Sequence, residues 1–272
     1  MMRQISSLLT ILLLTSCQEN PFYSAINCQE LSLDMQKEKL ARIEENYRKN
    51  SQDEFKVLLL SDPQTRPGHL DKTVLRLTEN NDFAFAMLLG DLTENGIARE
   101  FDWVCTSLKK LNIPVFPVIG NHDAIGFGKE LWQKYIGSYD YTIDFLDTRM
   151  LAYNDNAFEF EIHEPNFDWI ADNVDVEKRN IVASHIPPSV DVHTQLEVEK
   201  FISNLESIGV ENTIHGHHHN FKYWQVQEGI KHHITSAFQK GEYYSIMTVK
   251  RDVVEFENCY KDTCWKPTLL AY

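Results

Sequence analysis

The sequence predicts an α/β fold. Short apolar runs that read as strands alternate with amphipathic stretches that read as helices, and the conspicuous polar residues follow directly on the strands. Strand, helix, strand, helix, strand implies parallel strands joined by crossover helices. In such sheets ligands bind outside the carboxyl ends of the strands, where those polar residues lie.

The elements follow in order. Residues 29–49 read as a helix, with Leu33, Leu40, Ile43 and Tyr47 on one face and dense charge elsewhere. Residues 55–60 (FKVLLL) and 83–89 (FAFAMLL) are buried-strand runs, and 69–79 is helical between them. Residues 99–111 form a helix with Phe101, Val104, Leu108 and Leu111 aligned, and 115–119 (VFPVI) is a third strand. A short helix at 129–136 and two β-like runs within 139–153 come next. Residues 168–174 and 195–208 read as helices, 181–184 as a strand, and 213–215 ends another. From 221 to about 257 the chain reads as a β-meander. No internal repeat or low-complexity linker divides it.

Composition excludes several classes. With 272 residues, 43% hydrophobic and 24% charged, the chain can bury a sizeable core. A net charge of −14 gives no footprint for non-specific nucleic-acid binding and no charge-driven hold on an anionic membrane. The apolar run from Leu8 to Leu14 is too short to span a bilayer but suits a signal peptide. Leu14-Thr15-Ser16-Cys17 resembles the bacterial lipobox, in which the cysteine becomes the acylated first residue. The expected organisation is a signal peptide at 1–16, a tether at 17–27 held to the lipid bilayer through Cys17, an N-terminal helix at 28–50 and a domain at 51–272. The expected location is the bacterial cell envelope, on its periplasmic or surface face. Of the four remaining cysteines, Cys259 and Cys264 flank a short hairpin and are favoured as a disulfide. Cys28 and Cys105 are a weaker second pair, and Cys105 could also be a small buried apolar residue.

Five strand ends carry Ser61-Asp62-Pro63-Gln64, Gly90-Asp91-Leu92-Thr93-Glu94, Gly120-Asn121-His122-Asp123, His185-Ile186-Pro187-Pro188 and Gly216-His217-His218-His219. Oxygen donors mixed with imidazoles suit Mn²⁺, Fe or Zn²⁺, and seven donors suit two ions better than one. Each piece alone could be a turn or a surface loop; the joint pattern is what points to a metal pair. On an extended segment His218 would point away from its neighbours, so it is left out, as are His215, His232 and His233. Phe127, Trp132, Tyr135, Tyr223 and Trp224 either rim a substrate site or fill the core.

This set of motifs, in this order, resembles the calcineurin-like metallophosphoesterases over roughly residues 55 to 250. The resemblance implies a β-sandwich of two mixed sheets flanked by helices, so that the parallel strands are half of the architecture. It implies one divalent ion on Asp62, Gln64, Asp91 and His219 and a second on Asp91, Asn121, His185 and His217, with Asp91 bridging. His122 becomes the proton donor to the leaving group, and Glu94 a carboxylate that orients it. The family usually has Asp-x-His at the first motif. Gln64 supplies a neutral amide oxygen instead, which favours Mn²⁺ or Mg²⁺ over Zn²⁺. No Tyr follows Asp91, which separates the chain from the purple acid phosphatases. The implied activity is hydrolysis of phosphate mono- or diesters by a hydroxide bridging two metals. The competing expectation is a non-catalytic metal- or phosphate-binding envelope lipoprotein on the same fold.

Overall fold

The computed structural model describes Cys28 and residues 31–78, 82–161, 167–188, 194–226 and 229–271. The expected signal peptide, tether and acylated Cys17 lie outside the described residues. Among the described residues no helix is long and apolar enough to cross a membrane.

Among the described residues six α-helices and thirteen strands follow in chain order. The first half runs α1 (Leu33–Lys49), β1 (Phe55–Leu60), α2 (Pro67–Thr78), β2 (Phe83–Leu89), α3 (Ala98–Leu108), β3 (Val115–Val118), α4 (Gly128–Tyr135), β4 (Tyr141–Phe145) and β5 (Thr148–Ala152). The second half runs α5 (Phe167–Asn173), β6 (Arg179–Ala183), α6 (Gln195–Ser207), β7 (Val210–His215), β8 (Lys222–Gln225) and β9 (Lys231–Ile234). It ends in β10 (Tyr243–Val249), β11 (Val254–Tyr260), β12 (Thr263–Trp265) and β13 (Leu270–Ala271).

The strands make two mixed sheets. The first has the order β12-β11-β10-β1-β2-β3 and the second β13-β8-β9-β7-β6-β5-β4. β1, β2 and β3 are parallel, while β10 joins β1 antiparallel. In the second sheet β5, β6, β7 and β9 are parallel, β4 is antiparallel to β5, β8 is antiparallel to β9, and β13 is parallel to β8. The expected meander from 221 to 257 is corrected here. β8 and β9 pair as a hairpin in the second sheet, after which the chain crosses to the first sheet as β10 and β11. Local apolar alternation is the same for either partner, so pairing was decided by which sheet edge lay open.

Side-chain alternation explains the layers. In β5 and β6, Met150, Ala152, Ile181 and Ala183 face the core between the sheets. Leu151, Tyr153 and Val182 face the other way, into a smaller cluster with Ile170 of α5 and Leu205 of α6. Phe145 fastens the two sheets, with its ring centroid 4.8 Å from that of Phe55 and 5.9 Å from that of Phe85. β1 and β2 are buried nearly throughout, because α2 and α3 cover the first sheet. Trp132, Tyr135 and Trp224 are buried, and Phe127 and Tyr223 pack half-buried on the core, so the five aromatics fill the core. His215, His232 and His233 are buried too; burial pushes His232 and His233 down to about 3 and His215 well below the ordinary range.

Both disulfides form, Cys28–Cys105 with Cα atoms 5.3 Å apart and Cys259–Cys264 at 4.1 Å. They tie very different lengths of chain, 77 residues against 5. By loop-closure entropy the first should contribute about 4 kcal/mol and the second about 2 kcal/mol. Urea unfolding of the Cys28→Ser/Cys105→Ser and Cys259→Ser/Cys264→Ser proteins should show the larger loss in the former. The reverse order would mean that native packing, rather than chain entropy, sets both contributions.

Candidate metal centre

Five strands end at one place. Asp62 follows β1, Asp91 follows β2, Asn121 and His122 follow β3, His185 follows β6, and His217 and His219 follow β7. Four of these turn sharply with left-handed backbones: φ is 52° at Asp62, 54° at Asp91, 64° at His217 and 58° at His219. Asp and His tolerate that region better than bulky residues, and the strain is of the kind stored at functional sites. His217–His219 is therefore a turn, not the extended segment expected from sequence, and His218 packs against His217 with centroids 5.6 Å apart. Two glycines let the loops approach. A Cβ on Gly90, whose φ is 88°, would strike the His185 ring, and one on Gly120 would strike Asp91.

Asp91 is the centre of this arrangement. Its Oδ1 accepts the His122 N–H at 3.0 Å. Its Oδ2 accepts Gln64 Nε2 at 3.0 Å and lies 3.2 Å from His185 Nε2. On one side Asp62 Oδ1 lies 3.2 Å from His219 Nε2, and ligand atoms of Asp62, Asp91 and His219 all fall within 4.8 Å of one another. On the other side His185 Nε2 meets Asn121 Oδ1 at 3.2 Å and His217 Nδ1 at 3.3 Å. The seven expected metal ligands thus form two groups that share Asp91.

The donor set fits divalent cations. The Leu89 carbonyl accepts the His185 Nδ1–H at 2.7 Å, which leaves Nε2 with a lone pair in the neutral ring. Three other electron-rich atoms converge on that nitrogen, and one proton cannot satisfy them all. Asp62 Oδ1 and Gln64 Oε1 are buried with no hydrogen bond. The electrostatics make the same demand. Burial opposes a charged His185, yet Asp91 and Asp62 overcome it and raise the ring to about 10. Burial likewise opposes the Asp91 carboxylate, and His185 and His122 hold it below the usual range. His217 is pushed down to about 3 by burial and by His185, so it offers a lone pair.

His122 stands at the rim, half-exposed. Burial works against its charged form, but the Glu94 carbonyl and the charges of Asp91 and Glu94 raise it above its ordinary value. Its Nδ1 donates to the Glu94 carbonyl at 3.0 Å, and the Glu94 carboxylate lies farther off at 3.7 Å. The main chain of Glu94 orients the ring, where sequence led us to expect its side chain. An Nδ1–H held this way leaves Nε2 to face outward.

Two carboxylates escaped the sequence reading. Asp123 is fully buried and accepts Leu92 N at 3.1 Å, Thr93 N at 2.8 Å, Thr93 Oγ1 at 2.9 Å and Gly120 N at 3.0 Å. It pins the Asp91 loop to the His122 loop. Burial and then Asp91 push it up to about 7. Asp155, also buried, accepts the Ile186 N–H at 2.8 Å and so holds the turn after His185. Asp123 was visible as the last residue of Gly-Asn-His-Asp, but its partners are backbone amides that no motif names. Asp155 carried no signal in sequence.

Solved structures share the fold at low identity. A dimetal phosphatase from Danio rerio superposes with TM-score 0.61 and 14% identity, over 78% of this chain and 98% of that one. A purple acid phosphatase from yellow lupin (Lupinus luteus) seeds gives 0.59 and 11%, over 80% of this chain and 54% of that one. GAP50, the anchor in the inner membrane complex of Plasmodium, gives 0.56 and 12%, over 78% and 88%. A comparison with curated proteins finds no match. The model of the calcineurin-like phosphoesterase family matches residues 55–221, a stretch that holds all nine residues singled out from sequence. This chain belongs to the calcineurin-like phosphoesterases, metal-dependent hydrolases of phosphoester bonds.

Proposed function

We propose that the protein is a two-metal phosphoesterase of the bacterial envelope that cleaves phosphate mono- or diesters. The observation that carries this reading is the shared position of Asp91 between two donor groups. Asp62, Gln64, Asp91 and His219 would hold one ion, and Asp91, Asn121, His185 and His217 the other. Bound there, two divalent ions would lower the pKa of water and neutralise charge on the phosphoryl oxygens. The chain's own residues do the rest. The Glu94 carbonyl holds the Nδ1–H of His122, and the carbonyl and the charges of Asp91 and Glu94 favour the imidazolium, whose Nε2–H gives its proton to the departing alkoxide and leaves the neutral ring. Asp123 and Asp155 hold the loops in register. Gln64, a harder donor than imidazole, favours Mn²⁺ or Mg²⁺.

Export is supported by the Leu-Thr-Ser-Cys17 ending of the apolar run and by two disulfides, which persist in oxidising compartments. Acylated Cys17 would tether the catalytic domain to the bilayer.

Purified protein supplied with Mn²⁺ should cleave p-nitrophenyl phosphate or its bis ester. His122→Asn should lower kcat by about 10²–10⁴-fold on alkyl esters, whose leaving oxygen needs a proton. The loss should shrink on p-nitrophenyl esters, whose phenolate leaves without one. Equal losses on both would remove His122 from the proton-donor role. Bound metal with no turnover of any phosphoester would favour the non-catalytic lipoprotein instead.

A further inference from the structure

We propose that a cavity beside the metal centre is a leaving-group subsite for a small, positively charged alcohol. The inference rests on the phosphoesterase reading and names the substrate class that it leaves open. The cavity has a volume of about 190 Å³ and lies between the β1–α2 and β2–α3 loops under α3. It shares Gln64 with the donor cluster and Glu94 with His122. A pocket lined by one member of the donor cluster and by the residue whose carbonyl holds the proton donor adjoins the side from which the alcohol departs.

Its chemistry selects among alcohols. Trp103 forms an exposed indole wall, with Val104 and Pro67 as apolar neighbours. The charged residues that line the cavity are Glu94 and Glu100, both acidic. Glu100 is held in place, since its carboxylate oxygens accept Asn95 N at 2.8 Å and Asn95 Nδ2 at 2.9 Å. An indole face with two carboxylates is the combination that recognises an ammonium or quaternary ammonium group. The structure already shows Trp103 with a cation, the Arg99 guanidinium 5.8 Å from the ring centroid. The volume is below the usual range for drug-sized ligands, so the alcohol is of choline or ethanolamine size.

The test compares two esters of one shape and different charge. The Mn²⁺ protein should cleave phosphocholine with a kcat/KM roughly tenfold above that for 3,3-dimethylbutyl phosphate, its uncharged isostere. Trp103→Leu should bring that ratio towards one, and the ratio is independent of how much protein is active. Choline, and not 3,3-dimethylbutanol, should compete with p-nitrophenyl phosphate in the unmodified protein. Equal kcat/KM for the two esters, turnover of neither by protein that cleaves p-nitrophenyl phosphate, or an unchanged ratio in Trp103→Leu would each overturn the subsite. Loss of all phosphoester turnover would instead overturn the proposed function, and the subsite with it.

Discussion

Asp91→Asn should leave a folded protein that neither binds the proposed metal pair nor turns over phosphoesters. The substitution keeps the shape of a side chain that is 1% exposed and can still stand at a φ of 54°. It removes the one charge that both donor groups share. Asp91 Oδ2 sits 3.0 Å from Gln64 Nε2 and 3.2 Å from His185 Nε2, so both halves of the site depend on it. Losing metal-derived stabilisation of developing charge removes about 4 kcal/mol from the transition state, roughly a thousandfold in kcat/KM. The measurements are elemental analysis for bound metal, hydrolysis of p-nitrophenyl phosphate, and circular dichroism to verify the fold. A variant that retains two equivalents of Mn²⁺ and full turnover would remove Asp91 from the centre of the mechanism.

Asp123→Ala should do damage of another kind. It would strand three backbone N–H groups and the Thr93 hydroxyl, all buried, without an acceptor. A stranded buried donor costs about 1–3 kcal/mol, and with partial relaxation the total loss should be about 3 kcal/mol or more. The same four bonds hold the Asp91 loop against the His122 loop, so kcat should fall together with the unfolding midpoint. Asp123→Asn retains one carbonyl oxygen for these donors and should recover part of both. A stable, fully active Asp123→Ala protein would mean that other contacts fix the two loops.

The contrast between Asp91 and Asp123 shows what each kind of reading can reach. Asp91 was legible because a Gly-Asp step at the end of a seven-residue apolar strand has a position, and family motifs attach a role to that position. Asp123 stands in an equally recognisable motif, but its work is done on backbone amides of residues 92, 93 and 120. Amides are the same in every sequence, so nothing in the text distinguishes the ones that need an acceptor. Glu94 shows the same limit from the other direction. Its side-chain type suggested a carboxylate partner for His122, and the closer partner is its main chain. The 190 Å³ cavity depends on α3 lying over two loops, so Trp103 carried no meaning until the helix was packed.

From sequence alone came the strands, the crossover helices, the donors at strand ends and the pairing of Cys259 with Cys264. These are local: a period of two or 3.6, a polar residue at the end of an apolar run, two cysteines five apart. Tertiary structure decided the division of the last strands between two sheets, whether Cys105 joins Cys28 or stands as a buried apolar residue, and the donors that Asp123 gathers from two loops. Those depend on surfaces that exist only after the sheets have stacked, when residues far apart in the chain compete for one partner. Sequence states what each side chain can offer, and packing determines what it meets.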